Sequence, residues 1–169
     1  MKPALEQRRF TRMEPMTTTE QPDVTVYTDG ACTGNPGPGG WAAIIIDDSA
    51  ERVVSGAEPH TTNQRMELTA ALEGLAAVPG RRRVHLHSDS AYVVNCFRDR
   101  WYERWERTGW VNAGKQPVAN RDLWERLVAQ TRRHEVVWHK VKGHSGEALN
   151  ERVDRLARAA IGAPPKSAT

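Results

Sequence analysis

Apolar and polar positions divide the chain into two regimes. Val24 to Asp29 alternates and is rich in β-formers, Trp41 to Ile46 is a short apolar run, and Arg52 to Ala57 is a third strand candidate. Gly34-Asn35-Pro36-Gly37-Pro38-Gly39-Gly40 reads as a turn, so the first strands form an antiparallel meander. The period then lengthens to that of a helix. Leu68, Ala71, Leu72, Leu75 and Val78 recur on one face, and Pro79-Gly80 stops the element. Val84 to Ser88 reads as a buried strand and Tyr92 to Phe97 as a helix. Trp101 to Trp110 is helical but irregular. Asn120 caps a helix running to about Arg133 with Leu123, Trp124, Leu127 and Val128 as its stripe, and Val136 to Lys140 is a last strand. A final helix begins at Asn150, with Val153, Leu156, Ala157, Ala160 and Ile161 on its apolar face. Strands first, then helix and strand in alternation, predict an α/β domain: a mixed sheet covered by helices.

Residues 24–161 carry this pattern. Residues 1–23, with Pro3, Pro15, Pro22 and three consecutive threonines, are expected to be a flexible leader, and residues 162–169 a flexible tail. The net charge of +3 leans toward a polyanionic partner only weakly. Arg81-Arg82-Arg83 reads as a solvated turn. Two cysteines, Cys32 and Cys96, exclude a disulfide framework, and no apolar run reaches membrane-span length. A cytoplasmic monomer is the expectation.

Four carboxylates stand apart from acids such as Glu125 and Glu135, which suit solvated or paired helix surfaces. Asp29 and Asp89 each end a strand, and Glu67 and Asp154 each flank the apolar stripe of a helix. Carboxylates brought together repel unless a cation neutralises them, and an all-oxygen site suits Mg²⁺ or Mn²⁺. Each also has a plainer reading: Asp29 before Gly30 could start a turn, and Asp89 before Ser90 could cap a helix. Spacing alone does not decide between these.

Five blocks in register do carry a resemblance. They are Tyr27-Thr28-Asp29-Gly30 with the Gly/Pro segment, Thr61 to Leu68, Ser88-Asp89-Ser90, Val141-Lys142-Gly143-His144-Ser145-Gly146, and Asn150 to Ala157. Together they resemble bacterial type 1 ribonuclease H over Val24 to Ile161. The resemblance implies a five-stranded mixed sheet flanked by helices. It also implies hydrolysis of the RNA strand of an RNA/DNA hybrid with two Mg²⁺ ions, Mn²⁺ substituting, to leave 5′-phosphate and 3′-hydroxyl ends. Asp29, Glu67, Asp89 and Asp154 match the family's metal-binding acids. His144 matches its mobile catalytic histidine, placed to move a proton or help product leave.

Among substrate contacts, Asn35, Asn63 and Gln64 match positions that read the RNA 2′-hydroxyls, the feature that separates RNA from DNA. Thr62 and Asn120 match a phosphate pocket for the DNA strand, in which His60 replaces a frequent Arg. The segment from Arg98 to Ala119 matches a basic protrusion. Here Arg98, Arg100, Arg104, Arg107 and Lys115 are diluted by Asp99, Glu103 and Glu106, and Trp101, Trp105 and Trp110 suit a hydrophobic framework better than base stacking.

Other chemistry is excluded on pattern. The Gly-rich segment lacks the Gly-Lys-Ser/Thr ending of a P-loop, and no nucleophile elbow occurs. His85 and His87 share a strand face, but without a third ligand nearby a zinc site is not expected. The competing readings are a hybrid-binding module that has lost catalysis, a transposase, integrase or exonuclease on the same fold, and a structural protein.

Overall fold

The computed structural model describes residues 21–142 and 147–162. Strands β1 (Val24–Cys32), β2 (Gly37–Asp47) and β3 (Ala50–Thr61) precede helix α1 (Asn63–Ala76). Then follow β4 (Arg83–Ser88), α2 (Ala91–Arg98), α3 (Trp101–Thr108), α4 (Arg121–Arg133), β5 (Glu135–Lys140) and α5 (Ala148–Ala160). The sheet order is β3-β2-β1-β4-β5, with β1–β2 and β2–β3 antiparallel and β1–β4 and β4–β5 parallel. The mixed five-stranded sheet expected from the sequence is the one observed.

Alternation along β1 and β2 divides two cores. Val24, Val26, Ala43 and Ile45 face α1 and α4, where Leu68, Leu72, Leu75, Trp124 and Leu127 close the larger core. Tyr27, Ala42 and Ile44 face the other way, onto Val153 and Ala157 of α5. Both stripes predicted for α1 and α4 are buried, because a helix gains stability mainly by burying its apolar face. Among the described residues, no helix is long and apolar enough to cross a membrane.

Local detail differs from the sequence reading at several points. β1 continues past Asp29 to Cys32, and Gly39 and Gly40 pair with Cys32 and Ala31, so most of the Gly/Pro segment is strand. Glycine alternation carries no hydrophobic signal, so the sequence could show only a turn there. α5 starts at Ala148, two residues earlier than expected. Asn120 occupies the N-cap of α4 at φ 63 but caps it through its backbone carbonyl, without a side-chain cap bond. Arg82 is no solvated turn residue: its side chain is 9% exposed and ion-paired to Asp47 at 2.9 Å.

Two glycines set how closely the helices approach the sheet. A Cβ on Gly30 would stand 2.5 Å from the Glu67 nitrogen on α1, and one on Gly40 would stand 2.4 Å from the Ala157 oxygen on α5. Neither contact is possible for a side chain, so only glycine lets the two helices settle onto β1 and β2 at these points.

Candidate metal centre and nucleic-acid interface

That close approach delivers Glu67 to the carboxylates of the central strands. Asp29, Glu67 and Asp89 each offer an oxygen, and these oxygens lie within 4.8 Å of one another. Asp29 sits inside β1 and is 6% exposed. Its Oδ1 accepts the Gly30 N–H at 2.9 Å, and Asp154, reaching across from α5, is a further hydrogen-bonding partner. The turn reading of Asp29 fails because the strand runs on for three residues. The capping reading of Asp89 fails because Ser90 is the N-cap of α2, its Oγ accepting the Val93 N–H at 3.2 Å.

The electrostatics are those of a site built for a cation. Burial, then the negative charge of Asp89, pushes the Asp29 carboxyl up to about 8. Burial is also the main cause that raises Glu67 to about 7, opposed by hydrogen bonds from Ser90 and Asn63. Buried like charges this close are stable only if protons or a metal ion neutralise them. The donor set is all oxygen and suits a hard divalent cation.

All four predicted acids line one open cleft of about 280 Å³, together with Asn63, Asn150, Glu151 and Arg158. Asp154 is steadied by Arg158, one helical turn on, whose Nε stands 3.1 Å from it. Sequence reasoning missed Asn150 and Arg158. Arg158 could have been found from its i,i+4 spacing to Asp154; Asn150, 4% exposed, gives no such signal.

The predicted substrate residues form two groups. Asn35 Oδ1 accepts the Asn63 backbone N–H at 2.9 Å, and Asn63 Nδ2 donates to Glu67 Oε2 at 3.4 Å, so Asn63 bonds to the acidic cluster directly and Asn35 reaches it through Asn63. Gln64 is exposed on the first turn of α1. Thr62 and Asn120 are brought together through Arg65, which sequence reasoning did not single out. Thr62 Oγ1 accepts the Arg65 N–H at 3.2 Å, Asn120 Oδ1 accepts from its Nη1 at 3.2 Å, and Asp122 holds the same guanidinium at 2.9 Å. His60 is exposed at the end of β3. The tryptophans of the protrusion are framework: Trp105 and Trp110 are buried, and Trp105 packs edge-on to Trp124. His144 lies outside the described residues.

A mixed sheet that gathers buried carboxylates at the ends of its central strands, beside an open cleft, fits the class of metal-dependent phosphodiester hydrolases. Comparison with known proteins makes the class specific. The sequence model of the family described as RNase H matches residues 21–162. A ribonuclease H of Moorella thermoacetica is 59% identical over 141 residues, spanning 83% of this chain and 93% of that protein. One of Symbiobacterium thermophilum is 55% identical over 141 residues, spanning 83% and 96%. Among solved structures, LC9-RNase H1, described as a type 1 RNase H with the type 2 active-site motif, is 34% identical with a TM-score of 0.74, covering 84% of this chain and 73% of that one. The chain belongs to the ribonuclease H family, metal-dependent endoribonucleases that cut the RNA strand of RNA/DNA hybrids.

Proposed function

We propose that Asp29, Glu67, Asp89 and Asp154 hold two Mg²⁺ ions, for which Mn²⁺ can substitute, and that hydrolysis leaves 5′-phosphate and 3′-hydroxyl ends. The observation that carries this reading is the set of three carboxylate oxygens within 4.8 Å, two of them on side chains whose burial favours the neutral form. When bound, the ions supply the charge that activates water and stabilises the leaving oxygen.

The chain's own residues do the rest. Asp29 lies in β1 and Asp89 directly follows β4, the parallel neighbour of β1, which sets the two carboxylates side by side. Glu67 is oriented by Asn63 and Ser90, and Asp154 by Arg158. Asn35 and Asn63, tied to one another and to Glu67, and Gln64 beside them, read the RNA strand through its 2′-hydroxyls. Thr62 and Asn120, grouped by Arg65, take a DNA phosphate. His144 moves a proton or helps product leave. The enzyme acts as a cytoplasmic monomer on the hybrid duplex.

The test is cleavage of a labelled RNA strand in a hybrid, in an RNA duplex and as a single strand, with Mg²⁺ or with EDTA. Cutting confined to the hybrid with metal, and reduced about 10³-fold in Asp29→Asn, is the expected result, since a metal ion is worth several kcal/mol of transition-state stabilisation. Wild-type turnover by Asp29→Asn would overturn the assignment. Hybrid binding without cutting by the unmodified chain would favour an inactive module instead.

A further inference from the structure

The α5 side of the sheet holds a second cluster of ligating side chains, away from the acidic cleft. α5 packs over β1, β2 and β3, and the β4–β5 half of the same face carries three half-buried histidines. In the parallel register His87 stands opposite His139, with His85 two residues before His87. His85 Nδ1 and His139 Nε2 are 2.9 Å apart, and the His87 ring stacks on His139 with centroids 4.5 Å apart. β5 thus brings a third imidazole beside His85 and His87.

We propose that His85 and His139, with His87 as the third imidazole, form a second cation site, selective for a borderline transition ion such as Zn²⁺ over Mg²⁺. Imidazole nitrogen suits Zn²⁺, whereas Mg²⁺ prefers oxygen donors. The strongest support is the outer partner. Asp23 Oδ2, an acceptor, lies 2.8 Å from His85 Nε2 and takes its N–H, which leaves the lone pair of Nδ1 facing His139. A carboxylate behind a ligating histidine is the usual device for fixing the metal-binding tautomer. Burial, with nearby His85 and Arg98, also lowers the His139 pKa, which favours the neutral, ligating ring at pH 7.

Binding needs three local changes. Without an ion, His139 donates Nε2–H to His85 Nδ1. With one, His139 shifts its proton from Nε2 to Nδ1 through solvent, with no net proton released, and both lone pairs turn to the ion. Two nitrogens on a tetrahedral Zn²⁺ stand about 3.3 Å apart, so the pair opens by about 0.4 Å. His87 lies between Tyr27 and His139, with centroids 4.3 and 4.5 Å away, and joins by rotating out of both stacks. Among the described residues, the carboxylates are the set of three whose donor atoms already lie within 4.8 Å. The histidine site therefore has two imidazole nitrogens face to face and a third ring stacked beside them.

Calorimetric titration with ZnCl₂ tests this in the full chain carrying Asp29→Asn, which weakens the acidic cluster. One Zn²⁺ is expected to bind, with affinity reduced at least about tenfold by His85→Gln or His139→Gln and about tenfold by Asp23→Asn. Folding of the histidine variants is checked by Mg²⁺-dependent cleavage with Asp29 restored. A measurement on the unmutated chain is independent of folding: Zn²⁺ is expected to shift the ¹⁵N imidazole resonances of His85 and His139, and Mg²⁺ is not. Zn²⁺ affinity unchanged in the His85→Gln/His139→Gln double variant, no binding by the Asp29→Asn chain, or unmoved imidazole resonances would each overturn the proposal.

Discussion

Asp29 has a carboxyl held near 8 by burial and by Asp89, against an ordinary value of 3.8. The folded, metal-free protein therefore binds a proton there that the unfolded chain releases above pH 4. Stability rises with pH only where the unfolded state holds more protons, and here the folded state does. The contribution is present below about pH 4 and is lost as pH rises through 8. Asp29→Asn is expected to raise the Tm of the EDTA-treated protein at pH 8 by about 3 °C or more and to leave it unchanged below pH 4, as read by calorimetry. A variant equally or less stable at pH 8 would mean that the carboxylates do not oppose one another in the folded state. The same proton competes with metal, so the Mg²⁺ concentration for half-maximal cleavage should fall as pH is raised from 6 to 8.

Helix α1 is an element whose position matters more than its composition. Its apolar stripe fastens it to β1 and β2, and Gly30 sets how near its first turns come, which decides whether Glu67 reaches Asp29. Gly30→Ala would force the added methyl to within 2.4 Å of the Met66 carbonyl carbon, so α1 must shift. Overpacking of this kind costs about 1–3 kcal/mol. Cleavage should fall by about 10²-fold, since a displacement near 1 Å misaligns a reacting centre, while hybrid affinity, spread over many contacts, changes little. Cleavage and affinity falling together would place the defect in binding rather than in the placement of Glu67. The protrusion, by contrast, shows an element whose charge is partly spent within the chain. Arg98 donates to the Trp138 carbonyl at 3.0 Å, and Glu106 is paired with Arg132 at 2.8 Å.

On the scale of the whole molecule, a net charge of +3 and acids interspersed in the protrusion leave few arginines to neutralise phosphate. Affinity for a duplex depends on salt through the counterions released by such contacts, with a slope of about −0.9 per phosphate on double-stranded DNA. A plot of log affinity for the hybrid against log salt is expected to be shallow, between about −2 and −4. A slope steeper than about −5, the yield of six contacts, would show that the protrusion binds as strongly as a lysine-rich one.

Element types, their order and both apolar faces could be read from hydrophobic period, because burial rewards a repeat that matches the geometry of strand or helix. The five blocks of the family resemblance carried the candidate acids and the candidate substrate contacts, and local sequence went no further. It could not show that β1 passes through Asp29, since glycines pair without an apolar signature, nor that Arg82 is sequestered by Asp47. Convergence of four carboxylates spread over 126 positions belongs to the tertiary structure, which sets parallel β1 and β4 side by side and allows α1 and α5 to close on glycines. The same parallel pairing of β4 with β5 carries His139 to His85, a neighbour 54 positions away that no local pattern could predict.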